Sequence, residues 1–363
     1  MPVIPSEPVG YIVAGLAIIG LMVLILPFKV KIIEENLEPF FLVMGILSVT
    51  VSGLWSIELI KSALKSPLVI GNLPIGIFQV VLLFGILVYY FNKPFYKAMV
   101  GLAGKLGPKL FVFLLIMVAA LLSSIISVIV TATILAEIAA ALPIDKQDKV
   151  KLIVVTCFAV ALGAVLTPIG EPLSTIMVLK LSGAPYHAGF TFPLITFGKY
   201  VIPGVTAIAL FGAFYCGRGM VFKSKDSQAT YSEPLRGVIM RAVKVFAFVA
   251  ALTLLGEGLR PIVDWYFSKI PAMALYWINA ISAVLDNATL AAIEIDPSLS
   301  LAQISGIIMG LSIAGGMLIP GNIPNIVAAV RLRISMREWA VIGLPLGLAI
   351  MAIYFLILFV GLR

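Results

Sequence analysis

Residues 163–181 read GAVLTPIGEPLSTIMVLKL, and the reading of the whole chain turns on them. The stretch is long and apolar enough to cross a bilayer as one helix, yet Pro168, Gly170, Glu171 and Pro172 stand in its middle. A proline lacks the backbone donor and its ring clashes with the preceding turn, so two prolines around a glycine unwind about one turn of helix. Backbone groups freed inside a membrane survive only against protein or a water-filled cavity. An unwound segment that carries a carboxylate is therefore a candidate binding site.

Composition says that the surroundings are membrane. Of 363 residues, 61% are hydrophobic and 12% charged, and the mean hydropathy is +1.15. A soluble domain is only about 45–50% apolar. The net charge of +8 is spread in short clusters between apolar runs and not along one face, which fits the positive-inside rule and excludes a nucleic-acid surface. Cys157, Cys216 and the single His187 are isolated, so neither a disulfide framework nor a zinc site is expected. No His/Glu metal pair and no nucleophile beside a base is present, so the expectation is a protein that is not an enzyme and needs no cofactor. The run from Gly10 has no basic residues before it and no small-residue cleavage site after it, and reads as a retained helix.

Outward from the broken stretch, apolar runs at 8–28, 38–55 and 67–91 predict three crossings. Residues 92–108 mix lysine with aromatic residues and read as interfacial. The block 109–143 is too long for one straight crossing and contains Ser123, Ser124, Ser127, Thr131 and Thr133, so it reads as a re-entrant hairpin with its tip near Thr131. The broken helix covers 149–182, a crossing follows at 191–216, and residues 217–235 form a cytoplasmic linker. The order then repeats: a crossing at 236–258, an interfacial stretch at 259–271, a hairpin at 272–297, a second broken helix at 300–332 and a last crossing at 338–361.

The repetition holds residue by residue. With Gly170 set on Gly321, GEPLSTIMVLKL lies over GNIPNIVAAVRL without a gap, pairing Glu171 with Asn322, Ser174 with Asn325 and Lys180 with Arg331. In the hairpins Thr131-Ala132-Thr133 matches Asn287-Ala288-Thr289, which sets Val130 against Asp286. The expected fold is thus an all-α polytopic membrane protein with two inverted repeats, each with a re-entrant hairpin and a broken transmembrane helix. Residues 1–66 are N-terminal scaffold helices, 67–216 the first repeat and 236–363 the second. Three full crossings per repeat invert the second against the first. Walking through them puts most lysines and arginines on one side, from Lys29 and Lys31 through Lys146, Lys149 and Lys151 to Arg333 and Arg337. Lys61, Lys65, Arg260, Lys269 and Arg363 fall on the other. The bias predicts a multi-pass plasma-membrane protein with both termini outside.

Two hairpins and two broken helices meeting at the bilayer midplane offer carbonyls and positive helix ends to a solute, which is a transporter design. The acids at the breaks, Glu171 and Asp286, repel an anion and either coordinate a cation or hold a proton. Oxygens from Thr131, Thr133, Thr167, Ser174, Asn287, Thr289, Asn322 and Asn325 complete a candidate site. An all-oxygen site suits a hard cation such as sodium, and proton competition at that site gives antiport. Plainer roles stay open: Glu171 and Asp286 each stand where a helix cap belongs, and serine and threonine in membrane helices commonly bond their own backbone. Glu137, Glu257 and Glu294 stand near the ends of their runs, where a salt bridge or a membrane edge accounts for them. Other open readings are a sodium-coupled symporter of a carboxylate or oxyanion, and a channel.

LTPIGEPLS at 166–174, LDNATLAA at 285–292 and PGNIPN at 320–325 together resemble the ion-transporter superfamily of NhaD-type sodium/proton antiporters, arsenite pumps and divalent-anion/sodium symporters. Within it the chain is most similar to a prokaryotic cation-transporter family, with specific motifs over about 109–332. The resemblance implies a homodimer in the lipid bilayer, with a scaffold and a mobile transport domain working by an elevator-like motion on a small cation and protons. The Ser-Asn-Thr signatures of the carboxylate symporters are replaced here by Thr131-Ala132-Thr133 and Asn287-Ala288-Thr289.

Overall fold

The computed structural model describes residues 4, 5, 7–34, 36–68, 77–218, 220, 234–266, 270–285 and 287–360. Asp286, Lys269 and most of the linker 217–235 lie outside them. Among the described residues the chain is all helical. The first five helices are α1 (Gly10–Lys29), α2 (Lys31–Glu34), α3 (Leu37–Ser52), α4 (Ile57–Lys65) and α5 (Ile77–Leu106). Next come α6 (Pro108–Ile126), α7 (Val128–Ala141), α8 (Lys146–Ala164), α9 (Pro172–Lys180) and α10 (Phe192–Tyr215). The remainder are α11 (Leu235–Tyr266), α12 (Ala272–Ile278), α13 (Asn287–Glu294), α14 (Leu301–Ala314), α15 (Ile323–Leu332) and α16 (Met336–Phe355).

Among the described residues five helices are long and apolar enough to span a bilayer: α1, α6, α10, α11 and α16 with its last wide turn. Large apolar side chains such as Ile18, Val118, Ile125, Phe214, Val341 and Ile353 point outward. Only a lipid solvent makes that arrangement favourable over so many residues. The molecule is a polytopic helical membrane protein.

Two groups of helices pack side by side. One gathers α1, α3, α4, α5 and α11, with α3 lying along α11 and the tilted rings of Phe41 and Phe248 5.2 Å apart between centres. The other gathers α6 to α10 and α12 to α16, and α5 and α11 join the two by packing on α7, α13 and α15. α11 packs both on α3 and on α5, so this first group takes in helices beyond residues 1–66.

Both predicted breaks are present. α8 ends at Ala164 and α9 begins at Pro172; α14 ends at Ala314 and α15 begins at Ile323, with one tight turn at Ile319–Gly321 between. Proline stands in the first turn of both second halves, where its missing donor costs nothing.

Two expectations are corrected. The chain bends out of helix at Ser127, not near Thr131: α6 ends at Ile126 and Ser127 takes φ 82°, ψ 151°, a region that is nearly glycine-only. Tertiary bonds decide the place, since Val128 N–H donates to Gly170 O at 2.7 Å and Thr167 Oγ1 donates to Ser124 O. Residues 259–266 are the end of α11 and not a separate interfacial stretch, with Glu257, Arg260 and Asp264 stacked on one helical face. Residues 92–106 continue α5 beyond a bend at Phe91.

Candidate functional site

At the first break Glu171 takes φ −153°, ψ 160° and is 4% exposed. It occupies the cap position of α9, but its carboxylate does not bond the N-terminus of that helix. Gly170 leaves no room for a side chain, since a Cβ there would stand 1.9 Å from Ala164 O. Ser174 Oγ donates to Val165 O at 3.3 Å and Thr175 Oγ1 to Pro168 O at 2.5 Å, so the second half-helix satisfies carbonyls that the break has freed. From α6, Ser123 Oγ donates to Val160 O at 2.9 Å and ties that helix to α8.

At the second break Asn322 takes φ −153°, ψ 149°, the same φ as Glu171 and an extended ψ, and it does cap its helix: Ile323 N–H donates to Asn322 Oδ1 at 2.8 Å. Asn325, fully buried, donates from Nδ2 to Gly315 O and to Leu318 O, both at 2.8 Å. Trp339 Nε1–H donates to Gly316 O at 3.0 Å. A Cβ on Gly321 would stand 2.6 Å from Gly315 O and 2.7 Å from Ser282 O, so the turn is pressed against α12's continuation. A Cβ on Gly315 would fall 2.6 Å from Asn287 Nδ2, which places the Asn287 amide against the end of α14.

The structure thus brings Asn287, Asn322 and Asn325 together, and Thr167 and Ser174 together at the other break. Thr131 and Thr133 are buried, but their hydroxyls donate to Ser127 O and Ile129 O one turn back, the ordinary use of threonine in a membrane helix. Thr289 lies in α13, and its side chain, like all of Asp286, is outside the described residues. Around the second break several buried polar atoms have no partner among the described residues: Asn287 Oδ1 and Nδ2, Asn322 Nδ2 and Asn325 Oδ1. Buried amide atoms without partners are rare and call for a bound ion, solute or water.

A cleft of about 660 Å³ lies between α3 and α11 on one side and α15 and α16 on the other, and reaches Ile319 of the second break. Its rim carries two ion pairs, Lys146 to Glu338 at 2.6 Å and Lys244 to Glu38 at 3.6 Å, together with Arg333.

The partners of two buried acids escaped the sequence reading, although a salt bridge was expected for Glu137. Arg331 on α15 grips Glu137 on α7 through both oxygens, at 2.8 and 2.9 Å, with both side chains buried. Asn279, just beyond α12, donates to Glu294 on α13 at 2.8 Å. The signal for the first was available: Glu137 and Arg331 are the lone charges of two otherwise uncharged helices, one of each sign. Glu257 pairs with Arg260 as expected, whereas Glu294 is buried and not at an exposed edge.

Fold and site define the class, a helical membrane protein with two broken helices around buried polar groups. Residues 13–361 match a family model described as "Protein of unknown function (DUF1646)", and the chain belongs to that family. No curated protein matches the chain.

Proposed function

We propose that this protein is a secondary active transporter of a small cation, exchanging sodium for protons by an elevator-like motion, and that it is not an enzyme. The observation that carries the reading is the pair of helix breaks with matching backbone at Glu171 and Asn322, one acidic and one neutral. An inverted duplication is supported by how the halves interlock: α7 of the first hairpin packs on α15, and α13 of the second packs on α9. The aligned Ser174 and Asn325 reach back to carbonyls at corresponding breaks.

The cation and the proton compete for Glu171 and Asp286, with Asn287, Thr289, Asn322, Asn325, Thr131, Thr133, Thr167 and Ser174 as the proposed surrounding oxygens. Asn287 Oδ1 and Asn325 Oδ1 are the best supported of these, because each is buried with no bond of its own. Asn322 Oδ1 is already spent on a helix cap. The group of α1, α3, α4, α5 and α11 serves as the scaffold and dimer-forming element, and the cleft beside Ile319 as the entry to the site. Lys146 and Arg333 on its rim fall on the lysine-rich side, so the cleft opens to the cytoplasm in this reading and both termini lie outside a plasma membrane.

The test is proton movement driven by an imposed sodium gradient in proteoliposomes. Full activity in the Glu171→Gln, Asp286→Asn double variant would sink the proposal. A second reading, a sodium-coupled symporter of a small anion, is favoured by one observation: Asn287 Nδ2 and Asn322 Nδ2 are buried donors without acceptors. Sodium-dependent uptake of a labelled carboxylate or oxyanion would select it, and gradient-independent conductance in a planar bilayer would select a channel.

A further inference from the structure

The base of the second hairpin holds a second buried acid that the cation site does not use. Glu294 ends α13 and is 9% exposed; Asn279 stands opposite it at the end of α12 and is fully buried. Asn279 Nδ2–H donates to Glu294 Oε2 at 2.8 Å. The other atom of each group, Asn279 Oδ1 and Glu294 Oε1, is buried with no hydrogen-bond partner among the described residues. Both are oxygens. Two neighbouring buried acceptors cannot satisfy each other without a proton or a cation between them. Turning the amide over does not remove the need, because Oδ1 would then face Oε2 instead.

The charged residues on the elements around α13 offer the carboxylate little help. α12 and α14 carry none. On α9 there is Lys180, which is exposed and acts on Asp296. On α11 there are Arg236, Arg241, Lys244, Glu257, Arg260 and Asp264; Lys244 pairs with Glu38, and Arg260 with Glu257 and Asp264. The corresponding hairpin arm in the first half has its acid, Glu137, gripped by a guanidinium. A buried carboxylate without a cation is far costlier than a neutral acid in the same place.

We propose that Glu294 and Asn279 form a proton-binding site, in which the Glu294 carboxyl is neutral and its Oε1–H donates to Asn279 Oδ1, closing a reciprocal acid–amide pair. The proton comes from solvent and returns to it, and no other bond changes. The pair fastens the two arms of the hairpin while the proton is bound. Its loss leaves a buried anion between the arms, so the site makes the second hairpin sensitive to alkaline pH. Exposed Asp296, two residues on, marks how close the site lies to water.

Gln is the near-isosteric mimic of a neutral glutamic acid and can make both bonds with Asn279. The experiment is thermal unfolding of the full chain at neutral and alkaline pH for wild type, Glu294→Gln and Glu294→Ala. Expected are a Glu294→Gln midpoint within about 2 °C of wild type at neutral pH, a Glu294→Ala midpoint lower by about 5 °C, and an alkaline loss in wild type that Glu294→Gln lacks. Infrared spectra should show a neutral-acid carbonyl band in wild type that is absent from Glu294→Gln and fades at alkaline pH. The proposal is overturned if Glu294→Gln fails to fold or is as unstable as Glu294→Ala. It is equally overturned if sodium or lithium chloride raises the wild-type midpoint at neutral pH and Glu294→Gln abolishes the rise, which would put a metal cation where we place the proton. Neither readout involves transport, so the result stands apart from the cation-exchange reading.

Discussion

The two helix breaks have nearly the same backbone and opposite chemistry. Glu171 and Asn322 share an extended conformation at the start of a half-helix, with a glycine before each pressed on the end of the preceding half. Asn322 bonds the helix that it starts, whereas Glu171 does not use its carboxylate that way. α7 and α13 show the same split, with Glu137 on α7 held by Arg331 across the molecule and Glu294 on α13 held by an amide. What differs between the two breaks is the ionisable chemistry placed on a similar backbone. The difference teaches that glycine and proline meet the geometric demand of a break, since both breaks have them and only one has an acid.

The comparison can be broken most decisively at the buried pair. Arg331→Ala should destabilise the protein by about 3–5 kcal/mol, because it strands the Glu137 carboxylate. Replacing both residues by leucine and methionine should recover most of that, and a double-mutant cycle by thermal or chemical unfolding measures the coupling. Gly170→Ala comes next, at about 3 kcal/mol, near the top of the overpacking range, since the new methyl meets a backbone carbonyl at 1.9 Å. Gly321→Ala should cost less, because its nearest contact is 2.6 Å.

Ligand linkage sharpens the contrast between the acidic and the neutral break. In the cation reading, sodium at one hundred times its dissociation constant should stabilise the wild type by about 2.7 kcal/mol, and Glu171→Gln should abolish the effect with little change in the sodium-free midpoint. A sodium-dependent midpoint that survives in Glu171→Gln would remove Glu171 from the site. Asn322→Ala should lose about 1 kcal/mol through its cap. The smallest change is expected at Ser127, whose φ of 82° suits glycine: Ser127→Gly should raise stability by less than about 1 kcal/mol in unfolding measurements. A loss there would mean that the Ser127 side chain holds the bend.

Much of this was legible in the residues because the bilayer penalises unpaired backbone so heavily. Apolar runs had to be helices, and Pro-Gly clusters inside them had to be breaks, so Pro168, Gly170, Pro320 and Gly321 marked both interruptions correctly. The bend between α6 and α7 was misplaced by a turn, because Thr131 and Ser127 look alike as small polar residues. Only bonds from Val128 and Thr167 to distant partners separate them. Thr131 and Thr133 looked like ligands for the same reason, and their hydroxyls turn back to their own helix.

By itself, then, the sequence determined that this is a polytopic helical membrane protein and where its helices break, because hydropathy, proline geometry and glycine act locally. Tertiary structure alone decided that Arg331 would meet Glu137 across 194 positions, that Glu294 would find Asn279, and that the amides of Asn287, Asn322 and Asn325 would gather at one break. Pairings of that kind depend on how helices far apart in the chain pack, and no local pattern of residues encodes the angle or register at which they do so.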